Sequence, residues 1–287
     1  MGIQTSVIFI FYAISCLNLT SSGQVGTNSD TWLLCISDEY IMQSYFTTPT
    51  CLDDSEFRNF LLLHKCSEQD SNIVPVISLL QQHRNITGEG SHRNLYTSIK
   101  LLVQSEFQFQ ELVLVERLPL GVFADPFELQ NLQQRRVYRH VSVFGDTNLE
   151  LPSFRSNRSV VEIHVEINSR DYDNVEISLK LPLHARYQPL EESGFSRVEF
   201  GEPDLFLCSS HVQSGRHEQR KCVVLSIGGS KTAETGSVVW DIPAGIRAHT
   251  EYVSAITFAA AVLSAFSILV ASVLSAKVEY CKNSKQS

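Results

Sequence analysis

The chain has 287 residues, 43% of them hydrophobic, and a formal net charge of −8 at pH 7. This composition supports one or two folded domains and excludes a disordered chain. The acidic balance, without a basic stripe interleaved with aromatic residues, also excludes nucleic acid as the expected partner.

The first 23 residues have the pattern of a signal peptide. The apolar run at residues 7–17 is too short to span a bilayer, and the small residues Ser21, Ser22 and Gly23 follow it. Because the run is not preceded by Lys or Arg, an uncleaved anchor is the alternative. We expect an N-terminal lumenal region at residues 24–100 and a β-rich lumenal domain at residues 101–250.

Five cysteines lie between the signal and the C-terminal tail, and we expect an oxidising lumen around them. Cys208 and Cys222 bracket a polar loop between apolar segments, so a disulfide that closes this hairpin is the simplest pairing. Cys35, Cys51 and Cys66 allow one further bridge, and the odd count leaves one thiol over. A zinc site is disfavoured because the sequence has no C-x-x-C pair and no finger-like His spacing.

Two sequons occur in polar surroundings of the lumenal part. Asn85 begins N-I-T and Asn157 begins N-R-S. N-glycosylation requires an exposed acceptor in a secreted chain. Both asparagines are therefore predicted to lie in glycosylated surface loops.

Hydrophobic periodicity predicts mainly β structure after a mixed beginning. Residues 55–64 and 73–82 have helix-like composition. Alternating apolar residues predict a β-hairpin formed by 161–167 and 175–181, with 168–174 as its turn. Further short strands are predicted at 112–115, 137–144, 198–200, 205–208, 223–227 and 238–240. This series predicts an antiparallel β-sandwich.

The sequence offers one weak candidate for catalytic chemistry. Asp171 and Asp173 form a D-x-D pattern, in which two carboxylates can hold a divalent cation beside a sugar donor. A solvated turn between two strands is the favoured explanation, since no nucleotide-binding pattern accompanies the pair. The histidines, including His164 on the polar face of a predicted strand, are expected at the surface or in hydrogen bonds. No catalytic, cofactor-binding or metal-binding residue is assigned.

Three other segments combine turn residues with aromatic or polar side chains. They are L-P-L-G-V-F-A-D-P-F-E-L at 118–129, L-P-L-H-A-R-Y-Q at 181–188 and W-D-I-P-A-G at 240–245. Each can form a corner of the fold or contact a partner, and the tryptophan can be packed inside or lie near a lipid interface. The candidate residues are Pro119, Gly121, Asp125, Pro182, His184, Arg186, Tyr187, Trp240, Pro243 and Gly245.

Residues 253–276 contain no charged side chain and predict a membrane-spanning helix. At about 1.5 Å per residue such a helix crosses a hydrocarbon core of about 30 Å. The tail at 277–287 carries three lysines and is predicted to be cytosolic, which makes the chain a single-pass type I membrane protein. Small side chains at Ala261, Ala265 and Ala271 suit close packing against another helix, although a plain anchor explains them too.

The three segments, in this order and followed by a single C-terminal span, resemble the PIG-X family. The resemblance covers residues from about 118 to the C-terminus. It implies a non-catalytic subunit of glycosylphosphatidylinositol (GPI) mannosyltransferase I in the endoplasmic reticulum membrane. The implied partner is the multispanning PIG-M, which transfers the first mannose and would carry the catalytic D-x-D.

Two alternatives stay open from the sequence alone. A type I receptor or adhesion protein at the cell surface would share the topology, but the short tail leaves little room for signalling. A glycosyltransferase in its own right would have to use Asp171 and Asp173.

Overall fold

The computed structural model describes residues 32–47, 49, 51–66, 76–104, 109–167, 175–209, 212–214, 217–227 and 238–283. The predicted signal peptide, the D-x-D pair with its predicted turn, and the last four residues of the tail lie outside these ranges. The sequence-based predictions for those segments stay predictions.

The described residues fold mainly into antiparallel strands, which confirms the predicted β class. The strands are β1 (Leu33–Ile36), β2 (Val76–Glu89), β3 (His92–Gln104), β4 (Phe109–Arg117), β5 (Val122–Phe123), β6 (His140–Gly145), β7 (Ser159–Glu166), β8 (Val175–Ala185), β9 (Phe195–Phe200), β10 (Asp204–Ser209), β11 (Val212–Ser214), β12 (His217–Ser226) and β13 (Val238–Pro243). The helices are α1 (Ile41–Tyr45), α2 (Asp54–Leu63), α3 (Pro126–Gln134) and α4 (Thr250–Asn283).

The described strands form three sheets. The largest has the order β1, β12, β10, β4, β7, β6, with β11 paired to β12. A second sheet has the order β2, β3, β8, β5, and β9 pairs with β13 alone. In the middle of the largest sheet, β10 is buried at every position and β4 at most, because both faces of these strands are covered.

The predicted hairpin between residues 161–167 and 175–181 is wrong. Both segments are strands, but β7 pairs with β4 and β6 whereas β8 pairs with β3 and β5. The two strands therefore belong to different sheets. Alternation identifies the buried face of a strand but does not identify its neighbours.

The predicted helix at residues 73–82 is also wrong where the structure describes it. From Val76 onward the chain forms the 14-residue strand β2, which pairs along its length with β3. Gly88 and Gly90, with φ of +107° and +66°, occur at the turn between the two strands. Asn85 is exposed but lies within β2 rather than in a loop, while Asn157 is exposed in the loop before β7.

The N-terminal third contributes strands to both large sheets. Strand β1 pairs with β12, and the expected boundary between residues 100 and 101 falls inside β3. The predicted helix at residues 55–64 is confirmed as α2, where Asp53 accepts hydrogen bonds from the backbone N–H of Ser55 and Glu56 at 2.8 and 2.9 Å. This segment is thus part of the main fold.

Two disulfides cross-link the described part of the chain. Cys208 and Cys222 are bonded between the neighbouring strands β10 and β12, as the sequence predicted. A second disulfide joins Cys35 to Cys66, and Cys51 belongs to neither bridge.

A buried ion pair connects strands β2 and β4 of the two large sheets. Nη2 of Arg84 lies 2.7 and 2.6 Å from the two carboxylate oxygens of Glu116, and both side chains are almost fully buried. Removing one member of such a pair leaves an uncompensated charge in the interior.

The chain divides into two compact units, of which the second comprises residues 188–196 and 241–287. Within it, the backbone N–H of Glu191 donates to the carbonyl of Gly245 at 3.0 Å, and that of Arg247 donates to Glu191 at 3.1 Å. A Cβ at Gly245 would come too close to Cδ2 of Leu190, so the partly exposed side chain of Leu190 would have to move. Helix α4 is long enough to span a membrane, its most apolar 18-residue window has a mean hydropathy of 2.3, and it contains the predicted span.

Candidate interaction site

Two of the three sequence motifs meet in the structure. The first motif leaves β4, forms the short strand β5 and enters α3, while the second forms the end of β8. Strand β5 pairs with β8, so that Phe123 lies opposite His184. We call residues 119–128, 148–154 and 182–187 the motif corner.

Arg186 joins the segments of the motif corner. Its side chain is only 4% exposed, and its Nη1 donates to the carbonyls of Asn148 and Leu151 at 2.5 and 3.0 Å. The guanidinium lies 4.8 Å from the ring centre of Phe123, an attractive cation–π arrangement. Burial lowers the pKa of Arg186 and the charge of Asp146 opposes this. Arg186 therefore has a positioning role inside the corner.

Backbone geometry explains the glycine of the first motif. The backbone N–H of Arg186 donates to the carbonyl of Gly121 at 2.9 Å. Gly121 has a φ of +86°, a conformation that side chains with a Cβ rarely adopt. Pro119 accepts a hydrogen bond from Val122 at 3.2 Å and completes this turn.

Helix α3 begins within the first motif, where the sequence analysis predicted only turns. Asp125 is its N-cap and accepts a hydrogen bond from the backbone N–H of Phe127 at 2.8 Å, while Pro126 occupies the first turn. Asp before Pro is the usual start signal of a helix, so this helix could have been found from the sequence. Phe127 is 73% exposed at the outer side of the turn.

His184 lies in a cluster that includes two residues which the sequence analysis missed. Its Nε2 lies 2.9 Å from a carboxylate oxygen of Glu128, and its ring centre is 4.2 Å from that of His92. The potential ligand atoms of these three side chains all lie within 4.8 Å of one another. His92 is distant in sequence from both motifs, so no local pattern pointed to it.

The outer side of the motif corner exposes large apolar side chains. Leu120 is 50% exposed, Phe154 69% and Tyr187 88%. The carbonyl of Tyr187 accepts a hydrogen bond from Ser153 at 2.9 Å, which fixes the backbone below the exposed ring. Exposed aromatic residues on a well-fixed backbone are typical of a protein interaction surface.

The third motif does not share this surface. Trp240 is fully buried, and the guanidinium of Arg93 lies 5.5 Å from its ring centre. This supports the packed alternative rather than a position at a lipid interface. Pro243 and Gly245 belong to the second compact unit, while Pro182 lies in β8 and pairs with Asn94.

A second polar cluster is buried in the largest sheet. We call Glu111, Glu162, His164 and Arg220 the internal network. The Nε2 of His164 lies 2.9 Å from Glu162, its Nδ1 lies 3.4 Å from Glu111, and Arg220 donates to Glu111 at 2.6 Å. His164 is therefore buried and hydrogen-bonded, which agrees with the hydrogen-bonded alternative and not with a surface position. An open cavity of about 430 Å³ adjoins Glu111, His164 and Arg220.

The internal network also holds helix α1. The carboxylate of Glu162 accepts hydrogen bonds from the backbone N–H groups of Ile41 and Met42 at 2.9 and 2.8 Å. Burial opposes protonation of His164, but hydrogen bonds to Glu111 and Glu162 raise its pKa. Burial likewise opposes ionisation of Glu111, yet His164 and Arg220 lower its pKa to about 2. Both shifts favour the ionised forms of Glu111 and His164 beside one another.

Comparison with known proteins places all three motifs within one family. A family model described as PIG-X / PBN1 matches residues 88–273, so the match begins earlier than the resemblance seen in the motifs. The human "GPI alpha-1,4-mannosyltransferase I, stabilizing subunit" is 24% identical over 221 residues, covering 71% of this chain and 84% of the human protein. The rat and mouse proteins of the same name are 28% and 27% identical over 197 residues, covering 64% of this chain and 77% of each relative. Because the family model matches well over half of its residues, the chain belongs to the PIG-X/PBN1 family.

Proposed function

We propose that this chain is a non-catalytic subunit that stabilises GPI mannosyltransferase I, which adds the first mannose to the GPI precursor. Family membership carries this proposal, together with the shared name of relatives that align over 77% to 84% of their length. That name agrees with the sequence-based expectation of a subunit without its own catalytic residues. The proposed partner is the multispanning catalytic subunit PIG-M.

We further propose a single-pass type I topology in the endoplasmic reticulum membrane. The long apolar helix α4 supports one crossing near the C-terminus. The two disulfides, Cys35 to Cys66 and Cys208 to Cys222, suit an oxidising lumen around the β-rich part. Asn85 and Asn157 are both exposed and would be available for glycosylation on that side.

The motif corner is the proposed lumenal contact with the partner. Arg186 fixes the backbone below Leu120, Phe154 and Tyr187 through hydrogen bonds of its side chain and main chain. A surface that is already ordered loses little conformational freedom on binding. Aromatic side chains on such a surface commonly dominate the binding free energy.

Helix α4 provides the proposed contact inside the membrane. Ala261 and Ala265 lie one turn apart on one face of α4, Ala271 lies about 80° around the helix from Ala261, and these small side chains would let another helix approach closely. Contact in both regions would explain how one subunit stabilises a protein that is itself embedded in the bilayer.

Recovery of the catalytic subunit from mild detergent tests the lumenal contact. The double variant Phe154→Ser/Tyr187→Ser should recover at least about tenfold less PIG-M than the unmodified chain, since two exposed aromatic contacts are lost. Tyr96→Ser is the matched control, because Tyr96 is an aromatic residue 38% exposed on strand β3. Equal recovery with the double variant would exclude the motif corner as the contact. Recovery of the unmodified chain without PIG-M would refute the subunit proposal itself.

A second pair of variants tests the helix contact. Ala261→Leu/Ala265→Leu fills the small face, whereas Ala255→Leu/Ala259→Leu adds the same volume on a face about 120° away around the helix. We expect both variants to insert into the membrane and only the first to lose PIG-M. If the two variants retain PIG-M equally, the contact lies outside this face of the helix.

A further inference from the structure

A cluster of two histidines and one glutamate beside the motif corner joins side chains from three elements. His92 begins β3, His184 lies near the end of β8, and Glu128 is in the first turn of α3. His92 and His184 are directly opposite each other in the antiparallel pairing, which places both side chains on one face of the sheet. Packing of α3 brings the carboxylate of Glu128 to that face.

Both imidazoles turn the same nitrogen towards this carboxylate. The Nε2 of His184 lies 2.9 Å from Oε2 of Glu128, and the Nε2 of His92 lies 3.8 Å from Oε1. The shorter distance is a hydrogen bond, but the longer one exceeds hydrogen-bond range. A hydrogen bond to Glu128 therefore explains the orientation of the His184 imidazole. It does not explain why the His92 imidazole also faces the carboxylate of Glu128.

We propose that His92, Glu128 and His184 bind one Zn²⁺ ion. Two imidazole nitrogens and one carboxylate form a known ligand set for zinc, with bonds of about 2.0 to 2.2 Å and a fourth position for water. Tetrahedral ligands at these bond lengths lie about 3.4 Å apart. The ligand atoms, all within 4.8 Å of one another, reach this spacing through small side-chain rotations.

The surroundings suit a borderline-soft cation that enters from solvent. The side chains of His92, Glu128 and His184 are 54%, 33% and 26% exposed, so an ion and its water can reach the ligands. Imidazole donors favour zinc and similar transition metals over Mg²⁺ and Ca²⁺, which prefer oxygen ligands. Phe123 stacks against His184 at 5.2 Å between ring centres and limits rotation of that imidazole.

Zinc at this position would fasten α3 to β3 and β8. Glu128 follows the exposed Phe127, so the ion would fix the first turn of α3 at the motif corner. This inference goes beyond the stabilising role and does not depend on the identity of the partner.

Zinc titration of the purified full-length chain tests the proposal directly. After removal of bound metal with a chelator, Zn²⁺ is added in competition with a chromophoric zinc indicator. We expect one equivalent to bind with micromolar or tighter affinity and to raise the thermal unfolding midpoint. Co²⁺ in place of Zn²⁺ should give the visible absorption of a four-coordinate ion, and Mg²⁺ should not compete.

Variants distinguish a metal site from a hydrogen-bonded cluster. His92→Asn, His184→Asn and Glu128→Gln should each weaken zinc binding at least about tenfold. Glu128→Gln keeps an acceptor for a hydrogen bond, so its metal-free unfolding midpoint should match that of the unmodified chain. His83→Asn, at an exposed position of β2, is the control and should leave zinc binding unchanged. Absence of stoichiometric binding to the unmodified chain, or equal binding by all four variants, would overturn the proposal.

Discussion

The internal network and the motif corner are both built around charged side chains, but they use charge in opposite ways. In the internal network, the charges of Glu111, Glu162, His164 and Arg220 face one another and are buried. In the motif corner, Arg186 is buried among backbone carbonyls while apolar side chains face outward. The first arrangement joins elements of the chain itself, whereas the second holds an exposed apolar surface, which is the proposed contact with the partner.

The two regions should therefore respond differently to substitution. Changes in the internal network should lower the stability of the isolated chain. Changes in the motif corner should lower recovery of the partner by more than their effect on stability explains. The following predictions test this distinction through thermal and denaturant unfolding of the full chain and through recovery of PIG-M.

The largest effect is expected for Glu162→Ala. This change leaves His164 without one acidic partner and removes the acceptor for the backbone N–H groups of Ile41 and Met42. Breaking a buried ionic network lowers the free energy of unfolding by about 3 to 5 kcal/mol. Glu39→Ala removes an exposed carboxylate paired with His140 and should cost less than about 1 kcal/mol. Similar losses for the two variants would contradict a structural role of the internal network.

The pH dependence of stability should show the next largest effect. The pKa of Glu111 is lowered from its ordinary value of 4.5 to about 2, so its contribution to stability is present above pH 4.5 and is lost as pH falls towards 2. Allowing for solvent screening, this contribution is about 2 kcal/mol. The pKa of His164 is raised, so its contribution is full below pH 6.5 and is lost as pH rises through the folded value.

Unfolding measured across pH 2 to 8 separates the two groups. In Glu111→Gln the free energy of unfolding should fall less steeply as the pH is lowered towards 2. In His164→Gln it should fall less steeply as the pH is raised above 6.5. If these slopes are the same in the variants as in the unmodified chain, other groups control the pH dependence of stability.

Local patterns in the sequence predicted buried faces well and neighbours poorly. Alternation at residues 161–167 correctly indicated a strand, yet its polar face is covered by α1, whose first residue lies 121 positions away from Glu162. That packing buries Glu162 and His164, which lie on the polar face of the strand. Residues 76–82, with helix-like composition, become a strand because β3 is available as a partner.

The motif corner could be predicted in part for a related reason. Gly121, Asp125, His184 and Arg186 stand out because turns, caps and polar corners have local signatures. His92 has none, since only the register between β3 and β8 brings it to His184. The residues that complete a site across a sheet are those that a linear pattern does not reveal.

A smaller effect on stability is expected for Arg186→Lys. A lysine keeps the charge but has a single ammonium group, which does not reproduce the planar contact with Phe123 together with both carbonyl bonds. We expect a loss of about 1 to 2 kcal/mol in the free energy of unfolding and a larger relative loss of PIG-M. Arg197→Lys, at an exposed position of β9, should change neither quantity. If Arg186→Lys recovers as much PIG-M as the unmodified chain, the motif corner is not involved in binding the partner.

The smallest effect on stability, and the sharpest test of the comparison, comes from two helix caps. Asp125 caps α3 in the motif corner and accepts from the backbone N–H of Phe127 at 2.8 Å. Asp53 caps α2 outside the corner and accepts from the backbone N–H groups of Ser55 and Glu56 at 2.8 and 2.9 Å. Replacing either with alanine should lower the free energy of unfolding by about 1 kcal/mol. Only Asp125→Ala should reduce recovery of PIG-M, because α3 carries the exposed Phe127 and α2 has no part in the motif corner. Equal recovery of PIG-M with both variants would mean that α3 contributes only to the fold and not to binding of the partner.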